Sequence, residues 1–326
     1  MKKEYRIVRS SEEVSLTFFS RITRKIVHLL LVLLGVSIIT FSLMHLTPGD
    51  PAEIMLRTDG IQPTREAIEA LRESLGLNEP VALQYVHWLG KVLRFDLGLS
   101  LSTGRPVTEE LLSRLPATLG MTLASVIFAL LLALPIGIGS GWRPGGWIDR
   151  ISRWVALSSV SMPAYWLGLL LLFYGAVRLK WFPVAGMNGF KSVVLPAVTL
   201  GFGMVGVYVR LIRTGMIEVL ERPYIKAARA RGLSTPSILL RHALHNALLP
   251  SITLLGVQIG SLLGGAVIVE TLFAWPGIGK FAVEAIYAKD YIVIQGYVLL
   301  TAIIVVTVNL TVDLLYRRLD PRMKLR

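Results

Sequence analysis

The sequence predicts an all-α polytopic membrane protein with six transmembrane helices, and three observations carry that expectation. Of its 326 residues, 53% are hydrophobic and only 17% charged, more apolar and less charged than soluble domains. Six stretches are long and apolar enough to cross a bilayer, which takes roughly 20 residues rising about 1.5 Å each. Their apolar runs are continuous rather than alternating, which argues against a β-barrel. The α-helix is then the structure that satisfies every backbone amide in lipid.

In chain order the predicted spans are Ile26–Leu46, Ala117–Gly139, Val155–Val177, Val193–Leu211, Leu248–Val269 and Ile292–Val312. The first follows a segment, 1–25, that ends in Arg21, Arg24 and Lys25, as a secretory signal peptide would. Its apolar run is too long for one, and Leu46-Thr47-Pro48-Gly49-Asp50-Pro51 offers no small-x-small cleavage site. The connection 47–116 reads as a small helical insertion. Thr64 is placed to cap a helix starting near Arg65, with Ile68, Leu71 and Leu75 on one face and Gly76 as its stop. A second amphipathic stretch, Leu83–Phe95, sets Trp88 among apolar neighbours, as in a helix lying at a membrane interface. The rest, 117–326, reads as a five-helix core interrupted by a long connection, 214–247.

Charge orients the spans. Residues 1–25, 140–154, 210–246 and 313–326 lie on one side and hold 22 of the 34 Lys and Arg but 8 of the 21 Asp and Glu. That side is expected to be cytoplasmic, with both termini inside a plasma membrane. The net charge of +13 is thereby read as a topology signal beside anionic lipid, not as a nucleic-acid footprint.

Several motifs have a plainer reading than their chemistry. Gly201-Phe202-Gly203-Met204-Val205-Gly206 fits the dinucleotide pattern, yet it lies inside an apolar span where glycines serve close helix packing. Gly277-Ile278-Gly279-Lys280 resembles part of a P-loop, but Ala274 and Phe281 stand where that motif needs Gly and Ser or Thr. His242 and His245 have a spacing that metal sites use, without a third ligand nearby; His28, His45 and His87 are isolated. The chain has no cysteine, no nucleophile elbow and no zinc-hydrolase motif. No catalytic role, cofactor or metal is therefore expected of it. The spans also carry no ionisable residue near their centres, where ion-coupled carriers usually place one. In span five, Gly256, Gly260 and Gly264 share one helix face and would admit a partner helix.

The long connection is the most unusual piece. It reads Tyr224-Ile225-Lys226-Ala227-Ala228-Arg229-Ala230-Arg231-Gly232-Leu233, then Ser234-Thr235-Pro236, and later Leu249-Pro250. Gly232 is expected to stop one short helix, and Ser234-Thr235-Pro236 to start another. Taken by itself, it is as compatible with lipid headgroup contact as with docking of a protein.

The Ala-Ala-x-x-x-Gly core at Ala227, Ala228 and Gly232, followed by Leu-Pro, resembles the coupling motif of bacterial ABC importer permeases. Lys226 stands where the general motif has Glu, and Leu249-Pro250 lies further on than usual. Both departures resemble the dipeptide, oligopeptide and nickel branch. The runs Thr47-Pro48-Gly49-Asp50-Pro51, Leu75-Gly76-Leu77, Phe95-Asp96-Leu97-Gly98-Leu99-Ser100, Arg114-Leu115-Pro116-Ala117-Thr118-Leu119 and Glu270-Thr271-Leu272-Phe273-Ala274-Trp275-Pro276-Gly277 are similar, in order, to that family's first permease. Ser161-Met162-Pro163, Ala274-Trp275-Pro276-Gly277 and Asp290-Tyr291-Ile292-Val293-Ile294-Gln295 look slightly closer to nickel permeases than to peptide ones.

The resemblance implies a type I ABC importer permease of a bacterial or archaeal plasma membrane, translocating chelated nickel or di- and oligopeptides by alternating access. It implies a second homologous permease, two ATP-hydrolysing subunits and an extracytoplasmic substrate-binding protein as partners. It places the ATPase-coupling loop at Tyr224, Ala227, Ala228, Arg229, Ala230, Arg231 and Gly232. The rival readings are an ion-coupled transporter or channel, and a membrane scaffold or receptor that transports nothing.

Overall fold

The computed structural model describes residues 11–46, 51–56, 64–74 and 76–319. Among them every regular element is helical, apart from one bridge between Leu99 and Pro106. Thr47–Asp50 and Leu75, which belong to two of the runs above, lie outside the described residues. The chain divides into two compact units, one of residues 1–95 with 298–306 and the other of residues 96–297 with 307–326.

The first unit holds α1 (Ser11–Leu46), α2 (Pro51–Leu56), α3 (Arg65–Ser74) and α4 (Val81–Val92). As predicted, Thr64 caps α3, its Oγ1 accepting from the Ala67 amide at 3.3 Å. Gly76 ends the turn at φ +69°, where the Leu77 amide reaches back to Arg72 O at 2.9 Å. The stretch expected to run to Phe95 stops being helical at Val92, and Phe95 takes a positive φ beyond it. An aromatic face joins α4 to α1. Phe41 and Trp88 have ring centroids 5.4 Å apart, and Ser37 Oγ lies 2.8 Å from the Tyr85 hydroxyl. Gln84 fixes the entry to α4 by donating to Leu77 O and Glu79 O, while its Oε1 lies 3.1 Å from His45 Nε2.

The second unit is built on α5 (Val107–Trp142) and α8 (Phe190–Leu220), which pack along a seam of small residues. A methyl on Gly201 would stand 2.5 Å from Ser125 O, and one on Gly141 would stand 2.9 Å from Arg213 O. Only glycine lets the two backbones come this close, as membrane helix interfaces require. Of the apparent dinucleotide motif, Gly201 meets α5 and Gly206 meets Ala156 and Ser159, while nothing lies within 4 Å of a Cβ on Gly203. Helix packing is thus what two of its three glycines do.

Helix α5 begins at Val107 rather than Ala117, so the helix runs on into the predicted insertion. Val107 and Leu111 are buried, which anchors the extra turns, and Pro116 is accommodated inside the helix.

The third span departs most from expectation. Instead of one helix over Val155–Val177, α6 (Trp147–Ser161) and α7 (Ala164–Leu171, continued by a π-helical stretch to Arg178) meet at 103°. The cause is local: Pro163 pushes Met162 out of the helical region to φ −90°, ψ 117°. After α8 come α9 (Pro223–Ala230), α10 (Thr235–Ser237), a π-helical turn over Ile238–Ala243, α11 (Leu244–Leu272), α12 (Ile278–Tyr287) and α13 (Tyr291–Leu319). Five described helices are long and apolar enough to span, six if the bent pair counts as one.

Candidate functional site

The connection between α8 and α11 is shorter than the predicted 214–247, because α8 runs on to Leu220 and α11 starts at Leu244, and its geometry separates residues that the motif groups together. Pro223 opens α9 at a position where its missing amide costs nothing, and Gly232 closes it. Gly232 sits at φ +76°, its amide donating to Arg229 O at 3.0 Å, while the Leu233 amide donates to Ala228 O at 3.3 Å. This pair of bonds is the Schellman arrangement, which favours glycine for its left-handed backbone. A Cβ on Gly232 would meet nothing within 4 Å.

The two alanines differ. Ala228 is 6% exposed and joins Ile225, Ile238, Ala243 and Ala247 in the hydrophobic core. Ala227 is exposed, as are Tyr224, Arg229, Ala230, Arg231 and Gly232. One helix face therefore anchors α9 and the other faces outward. Ile225, fully buried, is the anchor that motif reading missed; its signal was its apolar side chain amid basic and small neighbours.

The outer face is fixed from several directions. The Arg229 guanidinium lies 5.7 Å from the centroid of Trp142, at the end of α5. Asn246 Nδ2 donates to the Tyr224 hydroxyl at 3.0 Å. A methyl on Gly215 would stand 2.6 Å from Ala247 O, so α8 and α11 nearly touch beneath the loop. Below them, Asp149, 1% exposed, accepts from Arg213 Nε at 2.6 Å and Nη2 at 3.3 Å, and from the Gly145 amide at 2.8 Å. In sequence these two charges counted only toward topology.

The opposite end of the second unit joins the runs quoted above in pairs. Thr118 Oγ1 donates to buried Glu270 at 2.5 Å and accepts from the Ile278 amide at 3.0 Å. The Lys280 amide donates to the other Glu270 oxygen at 2.8 Å, and Trp275 Nε1 donates to Ala117 O at 2.9 Å. Asp290, also buried, accepts from Ser100 Oγ at 2.6 Å and from the amide and hydroxyl of Ser102, both at 3.1 Å. Its second oxygen caps α13 at the Val293 amide, 3.2 Å away. The apparent P-loop at Gly277 and Gly279 is packed against the Glu270 side chain.

The glycines of span five do not act alike. Gly256 is crowded by Val312 of α13 in the same chain, whereas a Cβ on Gly264 would meet nothing within 4 Å and Gly260 is half-buried. His242 Nδ1 lies 3.2 Å from Ser237 O. Among the described residues, no group of three His, Cys, Asp or Glu side chains is placed to hold a metal ion.

Residues 133–325 match the family described as "Binding-protein-dependent transport system inner membrane component", and residues 18–122 match the N-terminal region described for such membrane components. The chain is 39% identical to the dipeptide transport system permease protein DppB of Alkalihalophilus pseudofirmus, over 92% of this chain and 98% of that one. It is 40% identical to the probable D,D-dipeptide transport system permease protein DdpB of Escherichia coli, over 94% and 98%. The glutathione transport system permease protein GsiC of Salmonella choleraesuis is 38% identical over 93% and 98%. Among solved structures, the inward-facing MetNI methionine ABC transporter superposes with a TM-score of 0.52 at 22% identity, covering 64% of this chain and 96% of the other. That likeness shows a shared fold.

Proposed function

The chain belongs to the binding-protein-dependent inner membrane components, as an ABC importer permease of the dipeptide and oligopeptide family, and from that premise we propose that it carries short peptides inward by alternating access. The observation that carries the mechanism is the two-sided α9. Its buried face ties it to the transmembrane core through Ile225 and Ala228, and its outward face presents Ala227 and the basic end at Arg229–Arg231.

A partner ATPase docks on that outward face. When two such ATPases close on ATP, they draw this loop and its counterpart on a second permease together. The anchored face passes the movement to α8 and α11, which nearly touch at Gly215 and Ala247, and the pathway turns outward to receive substrate from a binding protein. The basic side is then cytoplasmic, in the inner membrane, and this chain itself makes and breaks no covalent bond.

Peptides are the favoured cargo because three relatives are named for dipeptide, D,D-dipeptide and glutathione transport. The nickel lean rests on the three short runs given above. Vesicles bearing the assembled complex, loaded with ATP, test both. Uptake of labelled dipeptide, outcompeted by peptide and not by chelated nickel, is the expected result. Uptake indifferent to ATP would instead indicate an ion-coupled carrier, and a chain that purifies with no ATPase would indicate a scaffold.

A further inference from the structure

We propose that the outward face of α6 holds an anionic phospholipid of the inner leaflet, its headgroup phosphate gripped by Arg150 and Arg153. Helix α6 is apolar on the wrong side for a helix in water. Its inward face is small and polar, with Asp149, Ser152 and Ser159 buried, while Trp147, Trp154 (70% exposed), Leu157 and Val160 face outward. Such a face is matched to lipid rather than to solvent.

Position along the helix supplies the depth. Asp149 is bound to Arg213, and Ala156 and Ser159 lie against Gly206. Moving along α6 from Asp149 to Ser159 therefore runs back along α8 from its basic end toward its apolar middle. Along the outward side Trp147 comes first, then Arg150 and Arg153 with Ile151 between them, then Trp154, and finally Leu157 and Val160. From the arginines onward, charge, amphipathic ring and aliphatic chain thus follow the order of headgroup, interface and acyl tail, with Trp147 flanking the charged end.

Arg150, Arg153, Trp154 and Leu157 line one open groove of 310 Å³. Both arginines are exposed, and neither side chain has an ion-pair or hydrogen-bond partner among the described residues. Arg153 acts on buried Asp149 through its charge alone, because both Asp149 oxygens are engaged by Arg213 and Gly145. Two exposed guanidinium forks beside a tryptophan suit a phosphodiester with a further anionic or uncompensated headgroup, since arginine binds phosphate oxygens in pairs. A zwitterionic lipid carries its own cation there and gains less.

The test uses the full-length chain, delipidated in detergent and titrated with phosphatidylglycerol or phosphatidylcholine of identical acyl chains, with retained lipid read by native mass spectrometry. Wild type is expected to prefer phosphatidylglycerol, and R150Q and R153Q are each expected to weaken that preference about fivefold. The single variants carry the test if the double variant does not stay folded. R150K/R153K, which keeps the charge but loses the paired geometry, should retain only part of the preference, and K91Q/R94Q, which removes exposed charge elsewhere, should retain all of it. Undiminished phosphatidylglycerol retention by R150Q/R153Q would overturn the proposal. If that result came with loss of an ATPase or second permease from the assembled complex, it would assign this face to a protein.

Discussion

Thr118 and Glu270 stand 152 positions apart in sequence, yet the Thr118 hydroxyl donates to the Glu270 carboxyl at 2.5 Å with both side chains buried. Because the same hydroxyl accepts from the Ile278 amide, one small side chain joins α5, the end of α11 and the start of α12. Replacing it with the isosteric valine leaves a buried carboxyl oxygen and a buried amide short of a partner. Thr118→Val is expected to lower stability by roughly 1–3 kcal/mol, seen as a lower melting temperature of the purified chain, with Thr118→Ser close to wild type. A valine variant that melts with wild type would show the contact to be incidental.

Asp290 plays the corresponding part at the start of α13. Truncation to alanine removes the acceptor for Ser100 and Ser102 and the cap for Val293 together. Asp290→Ala should therefore cost more than an ordinary cap deletion of about 1 kcal/mol. It should also speed amide exchange at Ser102 and Val293, and unchanged protection at both would count against the arrangement.

The glycines of α8 offer a contrast inside one helix. A side chain on Gly206 must enter the backbone of α6, where Ala156 Cα and O stand 2.9 and 3.0 Å from a Cβ. A side chain on Gly203 has open space. Gly206→Leu is expected to destabilise by more than the roughly 1–3 kcal/mol typical of overpacking, because backbone rather than a movable side chain is in the way. Gly203→Leu should melt within about a degree of wild type. Equal behaviour of the two variants would remove the packing account of this motif.

How much of this was legible beforehand differs by level. Five of the six spans follow from apolar runs, since lipid leaves the backbone few options. The bend at Met162 was foreshadowed by Pro163, but one proline does not reveal an angle, and the apolar run continues across it. Charge counting treated Asp149 and Arg213 as independent marks, because their pairing depends on how α6 lies on α8. The runs holding Thr118, Glu270, Ser100 and Asp290 carry a family resemblance, whereas the pairing of Thr118 with Glu270 and of Ser100 with Asp290 arises only in tertiary structure. In the long connection, the ends of α9 were readable from Pro223 and Gly232. Which alanine faces the core was not, since neighbouring alanines have the same composition and differ only in helical phase.

That difference in phase yields its own prediction. A charge at Ala228 would be buried without a partner among Ile225, Ile238 and Ala243, so Ala228→Asp is expected to lower the melting temperature sharply. A charge at exposed Ala227 should change stability by less than about 0.5 kcal/mol. In the assembled complex Ala227→Asp is nevertheless expected to abolish ATP-driven uptake if, as proposed, the ATPase docks on this face. Full uptake by a stable Ala227→Asp variant would move the docking surface elsewhere.

Gly232 separates conformation from bulk. Its left-handed backbone penalises most side chains by about 1–2 kcal/mol, whereas asparagine tolerates that region. The open space around its Cβ means that no side chain clashes within this chain. Gly232→Val is expected to disturb the end of α9 and to reduce both stability and uptake, which by itself says little about docking. Gly232→Asn keeps the turn but adds atoms to the outward face. If the ATPase seats against that turn, Gly232→Asn should melt like wild type yet hydrolyse ATP without moving substrate. If glycine serves the turn alone, the asparagine variant should transport at the wild-type rate. Uptake and ATP hydrolysis measured together in the reconstituted complex distinguish these outcomes, and the two-sided α9 predicts the first.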